Sequence, residues 1–257
     1  MLFKILFTIW FFLLGSAVGS FLNVLIYRLP RKESILFPSS RCPSCNHKLA
    51  PKDLVPIFSY IFLKGKCRYC RAKISIRYPL VETLTAIFFA LSFWVYGWSF
   101  HCFKILILFS FLLPIFFIDI EHMLIPDVLS FAGLGIGFFL SLLEGKIYQS
   151  ILGSIVFGGI LLLIYLGALL ILKEEGMGQG DIKLGFFLGS FLGLKLSLLA
   201  LFLSYILGGV ISVFILLFKN KDLKTAIPFG PFLISGSFIS LFWGESIISL
   251  YISFFIK

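Results

Sequence analysis

The stretch Lys173-Glu-Glu-Gly-Met-Gly-Gln-Gly-Asp-Ile-Lys-Leu184 is polar and rich in glycine, and it separates two segments that are apolar enough to lie in a bilayer. Asp181 begins the second segment, in which Gly185 and Gly189 follow on the same helical face. Small residues on that face allow another helix to pack closely. Because a carboxylate at the mouth of a membrane helix is costly without a partner or a wet cavity, Asp181 is a candidate functional residue.

The composition indicates a multispan membrane protein. Apolar residues make up 60% of the 257 residues, and the mean hydropathy is +1.06. In a soluble protein the net charge of +10 would suggest a nucleic-acid partner, but 12 of the 22 Lys and Arg residues lie between Arg28 and Arg77. Basic loops stay on the cytoplasmic side of a membrane, so this charge predicts the orientation of the chain and no nucleic-acid binding.

The apolar pattern predicts an all-α polytopic membrane protein with about eight transmembrane helices. A first helix within residues 1–27 precedes a cytoplasmic loop at 28–78, and residues 79–257 form the remaining transmembrane core. The amino end differs from a cleaved signal peptide because its basic cluster follows the apolar run. The predicted helices cover about 4–27, 79–97, 102–119, 127–143, 150–172, 182–193, 195–218 and 229–256.

The loop at 28–78 contains two Cys-x-x-Cys pairs, Cys42-Pro-Ser-Cys45 and Cys67-Arg-Tyr-Cys70. Each pair offers two thiolates on one tight turn, and two such turns at this separation are typical of a tetrahedral four-cysteine zinc site. Two disulfides are the alternative, although a cytoplasmic loop is kept reduced. A closed site of this kind would be structural and would stabilise a zinc-ribbon-like loop that has little core of its own.

A second candidate carboxylate, Asp119, ends the apolar run that contains Pro114, which we expect to loosen the helix. Successive helices cross a membrane in opposite directions. Counted from a cytoplasmic loop at 28–78, this places Asp119 and Asp181 at the same membrane face. Two close carboxylates share one proton, which is the arrangement of an aspartic protease. One carboxylate activates a water that attacks a substrate amide, and the other protonates the leaving amine. Alternatively, both are boundary residues that pair with Lys173 or Lys183.

Three further polar residues follow Asp119, and each has a simpler interpretation. Asp127, after Pro126, is most simply a helix-start residue and otherwise a third candidate carboxylate. Glu121 and His122 are interpreted as solvated loop residues, because no second ligand accompanies the histidine.

Several motifs together resemble the bacterial type IV prepilin peptidases, which are GxGD-type intramembrane aspartic peptidases. The resemblance covers nearly the whole chain and lies in Gly178-Gln-Gly180-Asp181 within Glu175–Leu184, and in Gly19–Pro30, Ser40–Cys45, Gly65–Cys70, Arg77–Glu82 and Pro228–Phe232. By motif position, Asp119 and Asp181 are similar to the two catalytic aspartates of that family, and Gly178 and Gly180 are similar to the residues supporting the catalytic loop.

The resemblance implies an inner-membrane enzyme that removes the basic leader of prepilins and pseudopilins after a glycine, on the cytoplasmic side. It also implies methylation of the new amino terminus with S-adenosylmethionine, although no glycine-rich loop marks a site for that donor. Glu174, Glu175 and Asp119 are expected to attract the basic leader. A proton-coupled carrier and a non-catalytic secretion-assembly protein are the rival interpretations, since intramembrane carboxylates also mark ion pathways.

Overall fold

The computed structural model describes residues 1–173, 176–219 and 227–255, and within these ranges the chain is helical and has no named strand. A single turn of 3₁₀ helix lies at Pro51–Asp53. The α-helices are α1 (Leu2–Arg28), α2 (Phe58–Phe62), α3 (Arg77–Tyr96), α4 (Phe100–His122), α5 (Asp127–Leu143), α6 (Ile147–Leu172), α7 (Gln179–Lys219) and α8 (Gly230–Phe255).

Six of the described helices, namely α1, α3, α4, α6, α7 and α8, are long and apolar enough to cross a membrane, and α5 is a shorter apolar helix. The 41-residue α7 would measure about 60 Å if it were straight, twice the thickness of a bilayer core. It is interrupted at Gly193, whose φ of 71° and ψ of 176° are not helical. The two parts of α7 therefore correspond to two predicted segments, and the prediction of a multi-pass helical membrane protein is confirmed.

Two details of the sequence prediction around α4 are wrong. The helix continues through Pro114 to His122 without a break, so Glu121 and His122 belong to its last turn rather than to a loop. Their side chains remain partly accessible and lie 4.0 Å apart. A proline removes one hydrogen bond, but in an apolar environment the rest of the ladder still favours the helix.

The chain forms two compact units, Met1–Pro114 and Ile115–Lys257. In the first unit α1 packs along α3. A Cβ atom on Gly15 would lie 2.9 Å from the Cα atom of Ala86, and one on Gly19 would lie 2.7 Å from the Cα atom of Glu82. The glycines of α1 therefore form a close-packing face.

In the second unit α7 packs on α6, α5 and α8. A Cβ atom on Gly185 would lie 3.3 Å from the Cα atom of Gly158, and one on Gly189 would meet the backbone of Gly153. This confirms the predicted close approach at the glycine face of α7. The side chain of Ser154 on α6 donates a hydrogen bond of 2.8 Å to a carbonyl oxygen of α7. The contact ties α6 to the part of α7 that carries Asp181 in its first turn.

Candidate active site and four-cysteine loop

Asp119 lies on the last turns of α4 and is 4% exposed. Its Oδ2 atom accepts a hydrogen bond of 3.0 Å from the backbone N–H of Gly230, the first residue of α8. A Cβ atom on Gly230 would lie only 2.6 Å from that oxygen, so a side chain at this position would displace the carboxylate. The start of α8 therefore positions Asp119. The sequence analysis missed this contact, although a glycine preceding Pro231 was a visible signal.

Asp181 lies in the first turn of α7 and is 7% exposed. The turn before it is closed by the N–H of Asp181, which donates to the carbonyl oxygen of Gly178 across 3.1 Å, while the N–H of Gly178 donates to the Asp181 carboxylate. Space is tight there, because a Cβ atom on Gly178 would lie 3.2 Å from Oδ2 of Asp181, and one on Gly180 would lie 2.9 Å from Cβ of Ile125. Gly178 therefore contacts the aspartate directly, whereas Gly180 lets the turn pack against Ile125.

The structure brings the two aspartates together within the unit Ile115–Lys257, where they interact electrostatically. Among the groups that the structure describes, Oδ1 of Asp181 is buried and has no hydrogen-bond partner. Tyr205 of α7 also interacts electrostatically with Asp181, and its ring lies 5.3 Å from that of Phe229. Tyr205 was not identified from the sequence, because nothing local marks it. The arrangement suits proton transfer between carboxylates and a bound water.

Asp127 belongs to a different pair. Its Oδ1 atom lies 2.7 Å from Nζ of Lys183, and both side chains are substantially accessible. Lys183 therefore pairs with Asp127 rather than with Asp119 or Asp181. The alternative interpretation, in which Asp119 and Asp181 pair with Lys173 or Lys183, therefore loses Lys183 as a partner.

The four cysteines of the loop converge. The Sγ atoms of Cys42, Cys45, Cys67 and Cys70 all lie within 4.8 Å of one another, and all are free thiols. The Sγ atoms of Cys42 and Cys70 are 3.8 Å apart. A tetrahedral zinc with Zn–S bonds of about 2.3 Å requires sulfur atoms separated by about 3.8 Å, so the four thiols fit this metal.

Each pair of cysteines lies on a compact turn. The backbone N–H of Asn46 donates to the carbonyl oxygen of Cys42 across 2.8 Å, and that of Arg71 donates to Cys67 across 3.0 Å. Burial by itself raises the pKa of the Cys42 thiol, but hydrogen bonds from the backbone of Cys45 and Ser44 outweigh it and lower the pKa to about 7. A thiolate forms readily at this position, which favours metal binding.

Asp53, which lies between the two cysteine turns in the chain, holds the second turn. Its carboxylate accepts hydrogen bonds from Nε of Arg68 (2.7 Å) and from the hydroxyl of Tyr69 (3.0 Å). The rings of Tyr69 and His47 lie 3.7 Å apart, so the second turn is also held against the first. The sequence analysis did not identify Asp53. The available signal was that Asp53 and Glu33 are the acidic residues of an otherwise basic loop.

Fold and site together define a multi-pass helical membrane protein that carries a buried pair of aspartates beside a glycine turn, and a four-cysteine loop. The family model described as the bacterial peptidase A24 N-terminal domain matches residues 13–96, and that of the type IV leader peptidase family matches residues 106–213.

Curated relatives named prepilin leader peptidase/N-methyltransferase match almost the whole chain. The Pseudomonas aeruginosa protein is 33% identical over 94% of this chain and 92% of its own length. The Aeromonas salmonicida protein is 34% identical with the same coverage of both chains. The Myxococcus xanthus protein is 37% identical over 84% of this chain and 65% of its own length. No solved structure matches the chain significantly. The chain belongs to the prepilin leader peptidase/N-methyltransferase family, which confirms the resemblance seen in its motifs.

Proposed function

We propose that this protein is a membrane aspartic endopeptidase that cleaves the leader peptide of type IV prepilins and pseudopilins after a glycine, and that it also methylates the new amino-terminal residue. Family membership supports both activities. The observation that carries the peptidase proposal is the burial of Asp119 and Asp181 within electrostatic range of each other, at the end of α4 and the start of α7.

In the proposed peptidase step, Asp119 and Asp181 act as a unit that holds one proton, since two close carboxylates in a partly dry site do not both ionise. The ionised member removes a proton from a water, and the resulting hydroxide attacks the carbonyl carbon of the scissile amide. The protonated member stabilises the tetrahedral intermediate and then supplies the proton to the leaving amine. The proton belongs to the pair, so neither residue has a fixed role.

The surroundings hold both carboxylates of the pair in place and leave one oxygen atom available. The N–H of Gly230 holds Oδ2 of Asp119, and the turn at Gly178 holds the other carboxylate. Oδ1 of Asp181, which has no partner in the described part of the chain, is then the atom that accepts a hydrogen bond from the attacking water.

The four cysteines are proposed to bind one structural zinc ion, because Cys42, Cys45, Cys67 and Cys70 would fill all four of its positions. The zinc would stabilise the fold of the loop and take no part in peptide cleavage. For the methylation, S-adenosylmethionine would supply the methyl group that the new α-amino group accepts. That step rests on family membership, and we assign no residue to it.

The proposed substrate fits the proposed topology, in which the enzyme lies in the bacterial inner membrane with the loop at 28–78 in the cytoplasm. A prepilin has a basic leader followed by an apolar helix, so its scissile bond would lie at the membrane surface near Asp119 and Asp181. Attraction of the leader by Glu174 and Glu175 remains a prediction, because both residues lie outside the described ranges.

The decisive experiment compares cleavage of a model prepilin by purified wild-type protein, Asp119→Asn and Asp181→Asn, with the amino terminus of the product read by mass spectrometry. We expect either substitution to reduce cleavage by about two to four orders of magnitude while the protein stays folded. Asp127→Asn is the matched control, for which we expect a change of less than about fivefold because its ion pair is exposed.

Each result of this experiment has a distinct meaning. Wild-type cleavage followed by a methyl mass on the product, only when S-adenosylmethionine is added, would support both activities. Equal cleavage by all variants would remove Asp119 and Asp181 as the pair. Absence of cleavage by the wild type would instead favour a proton-coupled carrier or a non-catalytic secretion-assembly protein.

A further inference from the structure

The short helix α2, in the middle of the four-cysteine loop, presents its apolar side chains outward. Phe58, Ile61 and Phe62 lie on one helical face and are 51%, 61% and 80% exposed. The less apolar residues Ser59 and Tyr60 are the more covered ones. A loop in water would bury the first face and expose the second. We call Phe58, Ile61 and Phe62 the α2 ridge.

The position of α2 is fixed by a buried carboxylate of α3. The backbone N–H of Ile57, the residue before α2, donates a hydrogen bond of 2.7 Å to Oε2 of Glu82, which also receives one from Ser20 of α1. Ile57 has a φ of 64°, which a β-branched residue adopts only where the surrounding structure imposes it. The chain is therefore held in a sharp turn at Ile57, bonded to α3 immediately before α2 begins.

Glu82 also sets the depth of α2. It lies five residues beyond Arg77, where the membrane helix α3 begins, so the hydrogen bond to Ile57 is about 7 Å along the helix from its basic end. An amphipathic element that lies in the plane of a membrane inserts its apolar face about 5–10 Å. The loop thus folds back to α3 at Ile57, so that α2 begins within about this distance of the basic end of a membrane helix.

The charge around the α2 ridge indicates which kind of partner it would bind. Exposed Lys52 and Lys64 flank the helix, and the segment from Arg28 to Arg77 has twelve basic residues against the two acidic residues Glu33 and Asp53. Such a surface attracts anionic headgroups and repels a basic peptide. Since both ends of the loop are also attached to membrane helices, lipid is favoured over substrate as the partner of the ridge.

We propose that the α2 ridge inserts into the bilayer leaflet next to the four-cysteine loop, with Lys52 and Lys64 on anionic headgroups. The loop is then a membrane-surface element rather than a domain in free solution. Cys67 follows Phe62 by five residues, so the second cysteine turn is held close to the membrane surface. This inference concerns lipid binding and does not depend on the peptidase activity.

The test replaces Phe62 by the photo-reactive residue p-benzoylphenylalanine in the full-length protein, in nanodiscs of phosphatidylcholine with or without phosphatidylglycerol. Lys48, an exposed residue of the first cysteine turn, receives the same probe as a matched control. After illumination, mass spectrometry measures lipid adducts. We expect adducts at position 62 well above those at position 48, and a higher yield with phosphatidylglycerol. Because Phe62 is 80% exposed, the probe is expected to leave the fold intact.

The opposite results overturn the inference. Equal lipid adducts at positions 62 and 48 would show that the α2 ridge faces water. An equal yield in the two kinds of nanodisc would remove the role of Lys52 and Lys64 in binding anionic lipid. In a further arm with a model prepilin added, replacement of lipid adducts by prepilin adducts at position 62 would assign the ridge to the substrate instead. The cleavage assay described above measures the peptidase separately.

Discussion

The backbone N–H of Gly230 donates a hydrogen bond of 3.0 Å to Oδ2 of Asp119, joining the start of α8 to the end of α4. The two residues are 111 positions apart in the chain. A hydrogen bond from a backbone N–H to a carboxylate both orients it and favours its ionised form. This contact makes the first turn of α8 part of the candidate active site.

Replacing Gly230 by alanine should impair cleavage without unfolding the protein. The added Cβ atom would lie 2.6 Å from Oδ2 of Asp119 and would push the carboxylate off its N–H donor. Loss of a hydrogen bond to a charged group corresponds to a fall in kcat of about ten- to a hundredfold. Steady-state cleavage of a model prepilin measures this, with Gly209→Ala as the control, since its Cβ atom would meet open space. A wild-type kcat for Gly230→Ala would show that the contact does not position Asp119.

Removal of two cysteines should abolish metal binding. We expect about one zinc ion per chain in the wild-type protein and none in Cys42→Ser/Cys67→Ser, because two thiolates do not complete a tetrahedral site. Elemental analysis of protein purified without added metal measures the content. Cys102→Ser is the matched control, since Cys102 is buried outside the loop and should leave the zinc in place. A folded, metal-free loop in the wild-type protein would contradict the zinc proposal.

Asp53→Asn should destabilise the loop at neutral pH. Burial by itself would raise the pKa of Asp53, but hydrogen bonds from Arg68 and Tyr69 outweigh it and hold the pKa below its usual value of 3.8. A lowered pKa means that the carboxylate stabilises the fold above pH 3.8 and loses this contribution as the pH falls through the lowered pKa.

Limited proteolysis of the loop, measured from pH 7 downward, tests the effect of Asp53. We expect Asp53→Asn to be cleaved faster than the wild type at pH 7 and the difference to disappear in acid. Glu33→Gln is the control, because Glu33 is an exposed acidic residue of the same loop. A difference that grows as the pH falls would have the wrong sign and would reject the prediction.

Gly193→Ala should destabilise the second unit. Gly193 has a φ of 71° and a ψ of 176°, a conformation open almost only to glycine, so an alanine there costs about 1–3 kcal/mol. Thermal unfolding in detergent should show a lower midpoint. The matched control is Gly135→Ala in α5, where a Cβ atom meets open space and alanine favours the helix. An unchanged midpoint for Gly193→Ala would indicate that α7 is continuous at this position.

The sequence by itself determined the local features of the protein. Hydropathy located the apolar segments, because about twenty apolar residues are what a bilayer requires of a helix. Two Cys-x-x-Cys turns predicted the four-cysteine cluster, since thiol spacing within a turn is set by covalent geometry. The number of helices between Asp119 and Asp181 predicted that they share a membrane face, because each helix that crosses the bilayer takes the chain to the opposite side.

The tertiary structure alone decided which groups meet. The helix packing gave Asp119 the N–H of Gly230, paired Lys183 with Asp127, and placed Tyr205 near Asp181. It also bonded the N–H of Ile57 to Glu82 and left the apolar face of α2 exposed. Hydropathy and motif spacing describe neighbours along the chain, whereas these contacts join distant positions. They depend on how closely the glycine faces of the helices approach, which only the packed structure defines.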